Sequence, residues 1–440
     1  MLPTLALILC TAFVLFMLGL ERKQSPDMTR TLWIPTIWML LISSKPLSQW
    51  FLSFAGDPES GSPLDRIFLT ILMCLALWIL ARKKYDWRAA IKENVWLFVL
   101  IFFMLISILW SNIPYISFKR WTREFIAVLM ALVVHSEPSP HRAMESILRR
   151  TTYILIPFSL LLIKYFPIYG RMYGRWSGEE EWIGVTLQKN GLGRLCLIAI
   201  FFLIWSLVRR HQGNNPPVWK YQTHLEIFVL LLTLYLLRGP RGAYSATAVT
   251  ALGIGFLFYI GFYLMKKFGI YLSARTLMTI LAIVIIFGIA TLFTGGTSLK
   301  FYVSSVGRDE TLTGRTEIWA SLLPIAMQRG ILGRGFGGFW TPRTREAFKI
   351  GEGHSGYLDL LLNLGFVGIL LVTSFLLSSC RKAHRELSHD FDWAVLCICF
   401  LIMIVVHNIT ETSINTFTSQ LTAVILFLSV SSSGILSHWK

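Results

Sequence analysis

The chain has 440 residues, of which 54% are hydrophobic and only 15% charged, and its mean hydropathy is +0.60. So few charges exclude an ordinary soluble globular domain, and the apolar residues come in blocks too long and uniform for amphipathic core helices. The net charge of +17 is scattered over loops between those blocks, which fits cytoplasmic anchoring of a multi-pass membrane protein and argues against nucleic acid as a partner.

In chain order, the first block, Leu2–Leu20, lacks a charged leading region and a small-residue cleavage site, so it reads as a retained helix rather than a signal peptide. Blocks follow at Thr31–Ser44, Ile67–Ala81, Val95–Trp110, Phe125–Val134 and Tyr153–Phe166. The next are Leu192–Val208, Leu225–Leu237, Ala243–Met265 and Leu277–Phe293, and the last are Tyr357–Leu377, Trp393–Val406 and Phe417–Leu436. The expected fold class is therefore an all-α integral membrane protein of about 12–13 transmembrane helices. All six cysteines lie in or beside apolar blocks, which argues against a disulfide framework or a zinc site.

Lys and Arg fix the expected orientation. Basic residues at Arg22/Lys23/Arg30, Arg82/Lys83/Lys84/Arg88, Arg142/Arg149/Arg150, Arg209/Arg210/Lys220, Lys266/Lys267/Arg275 and Arg381/Lys382/Arg385 fall on every second loop. One side, the cytoplasmic one, collects them all. The longest opposite connection, Gly295 to Ser355, is long enough to be functional. Three regions follow: helices with short loops over residues 1–294, a large periplasmic loop over 295–356, and C-terminal helices over 357–440. Ile318, Trp319, Leu322, Leu323 and Ile325 predict an interfacial helix within that loop.

The outer loops also hold the candidate chemistry. Arg120 and Arg123, with Lys119, follow the fourth block; Arg238 and Arg241 flank a Gly-Pro turn; Arg315 opens a Gly-Arg-Thr-Glu-Ile-Trp segment. Arginines on the side that should be poor in them ask for an anionic partner, and guanidinium binds a pyrophosphate bidentately without losing its charge. His354, the one histidine of the long loop, could take a proton from an attacking hydroxyl. His407 and Glu181 are weaker candidates for the same task. Each of these residues could instead be an interfacial anchor or an inert structural group. No His/Asp/Glu set has metal-ligand spacing along the sequence, so no metal and no cofactor are expected. Gly333-Arg-Gly-Phe-Gly-Gly338 spells a dinucleotide fingerprint, but no strand precedes it, and it reads as a flexible turn.

Gly314-Arg315-Thr-Glu-Ile-Trp319, then Gly333-Arg-Gly-Phe-Gly-Gly-Phe339, then Gly353-His354-Ser-Gly-Tyr357-Leu-Asp-Leu-Leu-Leu-Asn-Leu-Gly365 resemble the O-antigen ligase and Wzy-type polysaccharide polymerase family. Leu109-Trp110-Ser111 to Arg120, Gln188-Lys189-Asn190-Gly-Leu-Gly193 and Arg238-Gly-Pro-Arg241-Gly242 are similar to further family segments, and together these cover residues 105–370. The resemblance implies a bacterial inner-membrane glycosyltransferase that needs no metal. Its donor would be a glycan on undecaprenyl pyrophosphate, with Arg241 and Arg315 holding the pyrophosphate and His354 acting on the acceptor hydroxyl. Gln188 departs from relatives that carry His before the Lys-Asn pair, so no catalytic role is expected there. The acceptor distinguishes a polymerase, adding to another lipid-linked repeat, from a ligase, adding to lipid A-core. A lipid-linked glycan transporter without chemistry is the rival of another class; it predicts related halves.

Overall fold

The computed structural model describes residues 2–51, 61–174, 178–213, 217–240, 243–295 and 314–431. Among these the architecture is almost wholly helical, as the composition requires. The chain runs through α1 (Pro3–Gln24), α2 (Trp33–Ile42), α3 (Pro63–Arg82), α4 (Val95–Ile106), α5 (Pro114–His135) and α6 (Pro140–Tyr165). It continues through α7 (Lys189–His211), α8 (Gln222–Arg238), α9 (Ala246–Lys267) and α10 (Ala274–Phe293). Then come α11 (Arg315–Met327), α12 (Pro342–Phe348), α13 (Gly356–Glu386), α14 (Phe391–Thr410) and α15 (Gln420–Ser431).

Eight of these helices are long and apolar enough to cross a bilayer, and a ninth crossing results if Trp87–Glu93 and Val95–Trp110, bent by 94°, count as one span. The other predicted blocks fall on helices that miss that standard: α2 and α15 are short, α8 has 17 residues, and α5 carries Lys119, Arg120 and Arg123 in its N-terminal half. Each of the thirteen apolar blocks falls on a helix among the described residues, but not all are simple apolar rods.

α6, α7 and α14 are buried along most of their length, whereas α1 and α3 expose most of theirs. In a bilayer, lipid tails are as apolar as leucine, so helices associate through close packing at small residues. A Cβ on Gly288 of α10 would lie 2.4 Å from the Tyr357 ring, and one on Gly255 of α9 would lie 2.6 Å from Met403 Sδ. The α10–α13 and α9–α14 pairs therefore meet where glycine removes the obstacle.

Several inner-loop cations of the sequence reading lie inside helices instead. Arg149 and Arg150 of α6 and Arg210 of α7 are buried. Arg150 Nε meets Glu21 Oε2 at 2.8 Å, and Arg210 donates two hydrogen bonds to Glu226 at 2.7 and 2.9 Å, while Tyr153 donates to the same carboxylate at 2.8 Å. Buried arginine persists only when its partner carboxylate is fixed in place. These pairs join α1, α6, α7 and α8 at one end of the bundle.

The exception to the all-helical pattern is a small antiparallel hairpin, Arg171–Tyr173 with Glu180–Trp182, at the other end of α7. α11 occupies the place predicted for an interfacial helix. It buries Trp319, Leu322 and Ala326 against the bundle, chiefly α13 and α10.

Candidate active site

The N-terminal ends of α7, α11 and α13 converge on the C-terminal end of α14, where Glu411 ends the helix. Arg315 opens α11, and its Nη2 lies 2.5 Å from Glu411 Oε1, while its Nη1 donates to the Thr410 carbonyl. Asn190, in the first turn of α7, donates to the same Glu411 oxygen at 2.5 Å. One turn further along α7, Arg194 Nη1 donates to the Thr412 carbonyl at 2.9 Å. The Gly356 N–H that opens α13 donates to the Glu411 carbonyl at 3.0 Å. Three helix N-termini and two guanidiniums around one point favour negative charge there.

His354 stands on the loop just before α13. Its backbone φ is +49°, in the left-handed region that costs a non-glycine residue about 1 kcal/mol or more. The flanking contacts hold it there. Gly353 N–H donates to both carboxylate oxygens of Asp359, at 3.2 and 3.0 Å, and its carbonyl accepts from Trp319 Nε1 at 3.1 Å. Asp359 also accepts from Trp340 Nε1 at 2.8 Å and from Thr412 Oγ1 at 2.6 Å. One buried carboxylate thus ties the histidine loop to the glycine-rich turn and to the Glu411 segment.

His354 Nδ1 lies 3.7 Å from Glu352 Oε1. One ligand-capable atom each from Glu352, His354 and Glu411 all fall within 4.8 Å of one another, a spacing at which they could share a proton or a metal ion. The sequence could not show this grouping, because Glu411 is far along the chain from the other two. Burial, and next the Glu411 carboxylate, push Glu352 above the usual carboxylate range. Burial would raise Glu411 too, but Arg315, together with His407, His354 and Arg194, outweighs it and holds Glu411 below that range. A cation here would face Arg315 and Arg194, which oppose it.

His407, four residues before Glu411 on α14, is wholly buried, with no hydrogen-bond partner for either ring nitrogen among the described residues. Glu411, Arg194 and Arg315 lie within electrostatic reach of it. It borders the site but is closed off from substrate. Glu181 is tied into an ion pair with Lys189 Nζ at 2.5 Å, and Arg171 pairs with Glu180 at 3.2 Å, so the acidic run is a salt-bridged surface.

The arginines divide by environment. Arg120 donates to the Gly337 carbonyl and so fastens α5 to the glycine-rich turn. Arg123 is exposed near Gly61, and Arg238 is exposed at the end of α8, where Gly239 turns the chain with φ +69°. Arg241, with Gly242, lies outside the described residues, as does the part of the long loop from 296 to 313.

The Gly333–Gly338 turn is packed, not flexible. A Cβ on Gly333 would lie 2.5 Å from the Asn363 backbone, and one on Gly335 would lie 2.5 Å from the Ser107 carbonyl; both residues have positive φ. The turn before it completes a broken helix. At Gly365 (φ +65°) α13 is interrupted, and Phe366 N–H and Val367 N–H donate to the Gly330 and Ile331 carbonyls at 2.7 and 3.2 Å. Beside the histidine loop, an open groove of about 490 Å³ is lined by Arg345, Glu346, Lys349, Ile350 and Gly351.

Residues 227–373 match the O-antigen ligase (Wzy_C) family. That span contains Arg315, His354 and Asp359 in the arrangement just described. Over that span the chain resembles the O-antigen ligase and Wzy-type family. It is also similar to the exopolysaccharide production protein ExoQ of Rhizobium meliloti, with 25% identity over 344 residues, 74% of each chain. Sequence reasoning names His354 and Arg315, which the structure brings to one place, but gives no role to Glu411, Arg194, Glu352 or Asp359. A lone acid just past an apolar block and beside His407 was the available signal for Glu411.

Proposed function

We propose that the chain is a membrane glycosyltransferase that polymerises repeat units of an exopolysaccharide or O-antigen, using a glycan on undecaprenyl pyrophosphate as donor. The observation that carries this reading is the meeting of Arg315, Arg194 and three helix N-termini with His354. It is a site that welcomes a diphosphate beside a group able to accept a proton. Arg315 and Arg194, with Arg241 as the family resemblance implies, would neutralise charge that develops on the departing pyrophosphate. His354 would take the proton of an acceptor hydroxyl as its oxygen attacks the anomeric carbon with inversion. The polyprenyl tail would remain in lipid beside the helices, and the open groove lined by Arg345 and Lys349 offers the growing glycan a polar path. No step requires a metal ion. The site would face the periplasm from the inner membrane, on the side away from the paired cytoplasmic arginines.

The similarity to an exopolysaccharide production protein favours the polymerase over a ligase acting on lipid A-core. A strain lacking the chain, complemented with wild type or His354→Ala at matched expression, separates these readings. A polymerase predicts loss of all long glycans, with single lipid-linked repeats accumulating. Long lipid-linked chains that never reach the core would indicate a ligase. Single repeats retained on the cytoplasmic leaflet would indicate a transporter.

A further inference from the structure

The proposed mechanism leaves Glu352 without a task, although its carboxyl faces the imidazole of His354 across 3.7 Å and the Nδ1 atom there is buried with no hydrogen-bond partner among the described residues. We infer that Glu352 is a positioning residue for the transfer reaction, its carboxylate orienting His354 through Nδ1–H so that Nε2 receives the acceptor proton. This inference rests on the glycosyltransferase reading above.

Three features of the site support it. First, the imidazole sits on a backbone held at φ +49°, with the preceding peptide clamped by Asp359 and Trp319, so its approach to Glu352 is fixed by the fold. Second, Gln188 at the start of α7 hydrogen-bonds the Glu352 side chain, which fixes the carboxyl from the opposite side. Third, Glu352 is the carboxylate whose oxygen lies against Nδ1, whereas Glu411 is tied at Oε1 by Arg315 and Asn190. A histidine base oriented by a carboxylate through its other nitrogen is a general solution, because the anion selects one tautomer and stabilises the imidazolium as it forms. A 3.7 Å separation without substrate is compatible with tightening in the reacting complex.

The step balances as follows. The acceptor O–H bond breaks and its proton passes to His354 Nε2, while the freed electron pair forms the new glycosidic bond. The anomeric C–O bond to the pyrophosphate breaks, and its electron pair leaves with the lipid diphosphate. Imidazolium is then paired with Glu352 until its proton returns to solvent. The charged and titratable groups that face this pair are Arg194 from α7, Arg315 from α11, Asp359 from α13, His407 from α14 and Glu411 after it.

The test uses the full-length protein in vesicles containing its lipid-linked repeat, comparing wild type, Glu352→Gln, Glu352→Asp and His354→Ala. Glu352→Gln should lower kcat by roughly 10²-fold, the scale of general acid–base assistance, with donor KM unchanged. The acid limb of its pH–rate profile should move to lower pH, since imidazolium loses its anion. Glu352→Asp should recover part of kcat, a rescue that a merely structural role would not give. Wild-type kcat and pH profile in Glu352→Gln, with His354→Ala inactive, would overturn this inference and leave the glycosyltransferase reading intact. Activity retained in His354→Ala would overturn both.

Discussion

Arg315 and Glu411 form the pair on which the site is built, and separating them has a calculable cost. Their side chains are 15% and 1% exposed, and their atoms meet at 2.5 Å. Removing one member of a buried pair leaves the other charged and unpaired, which costs about 3–5 kcal/mol. Asn190 still donates to Glu411, so Arg315→Ala should fall near the lower end, at about 3 kcal/mol. Removing both partners should cost less than the sum, with a coupling of about 2 kcal/mol in a double-mutant cycle with Glu411→Ala. Denaturation of the purified protein in detergent measures each corner of the cycle. The pH dependence has a definite sign. Glu411 is held below its ordinary value of 4.5, so the contribution is fully present above that pH and is lost as pH falls through the lower folded-state value. Two additive substitutions, or an Arg315→Ala cost under about 1 kcal/mol, would refute the claim that this pair organises the site.

Further outcomes follow from the same structure. Gly356→Ala would place a Cβ 2.0 Å from Asn408 Oδ1, which accepts from the Ser413 and Ile414 amides, so overpacking by about 1–3 kcal/mol and a lower thermal midpoint are expected. Asp359→Ala should lower activity by at least about tenfold with little change in donor KM, because the loop of His354 loses its anchor; unchanged kcat would contradict that role. Arg150→Ala, at the far end of the bundle, should destabilise the protein by about 3 kcal/mol yet leave kcat of the folded fraction unaltered, as thermal denaturation and turnover in vesicles would show. Treating membranes with a strong chelator should leave glycan transfer unchanged, and loss of activity restored by one divalent ion would assign the Glu352–His354–Glu411 group to a metal instead.

Much of the fold was legible because hydrophobic blocks and loop charges are local signals. Each block predicted a helix, and Trp319 and Leu322 predicted the helix that caps the bundle. Local signals also explain the failures. Arg150 and Arg210 read as loop anchors because nothing nearby in sequence announces Glu21 or Glu226 as their buried partners. The turn at Gly333–Gly338 looked flexible because glycine's need for space beside Asn363 and Ser107 shows only in three dimensions. At the candidate site, composition and family resemblance single out His354 and Arg315. Glu411, Arg194 and Asp359 were missed because their roles come from convergence of helix ends far apart in the chain.

The most direct test of the central claim is glycan transfer by the purified protein alone. Reconstituted in vesicles with undecaprenyl-pyrophosphate-linked repeat units and no other enzyme, the wild-type chain should build a ladder of longer lipid-linked glycans and release undecaprenyl pyrophosphate. The His354→Ala protein, folded to the same thermal midpoint, should yield neither. A ladder of equal length and rate from His354→Ala, or no glycosidic bond formed by the wild type under any acceptor supply, would contradict the account.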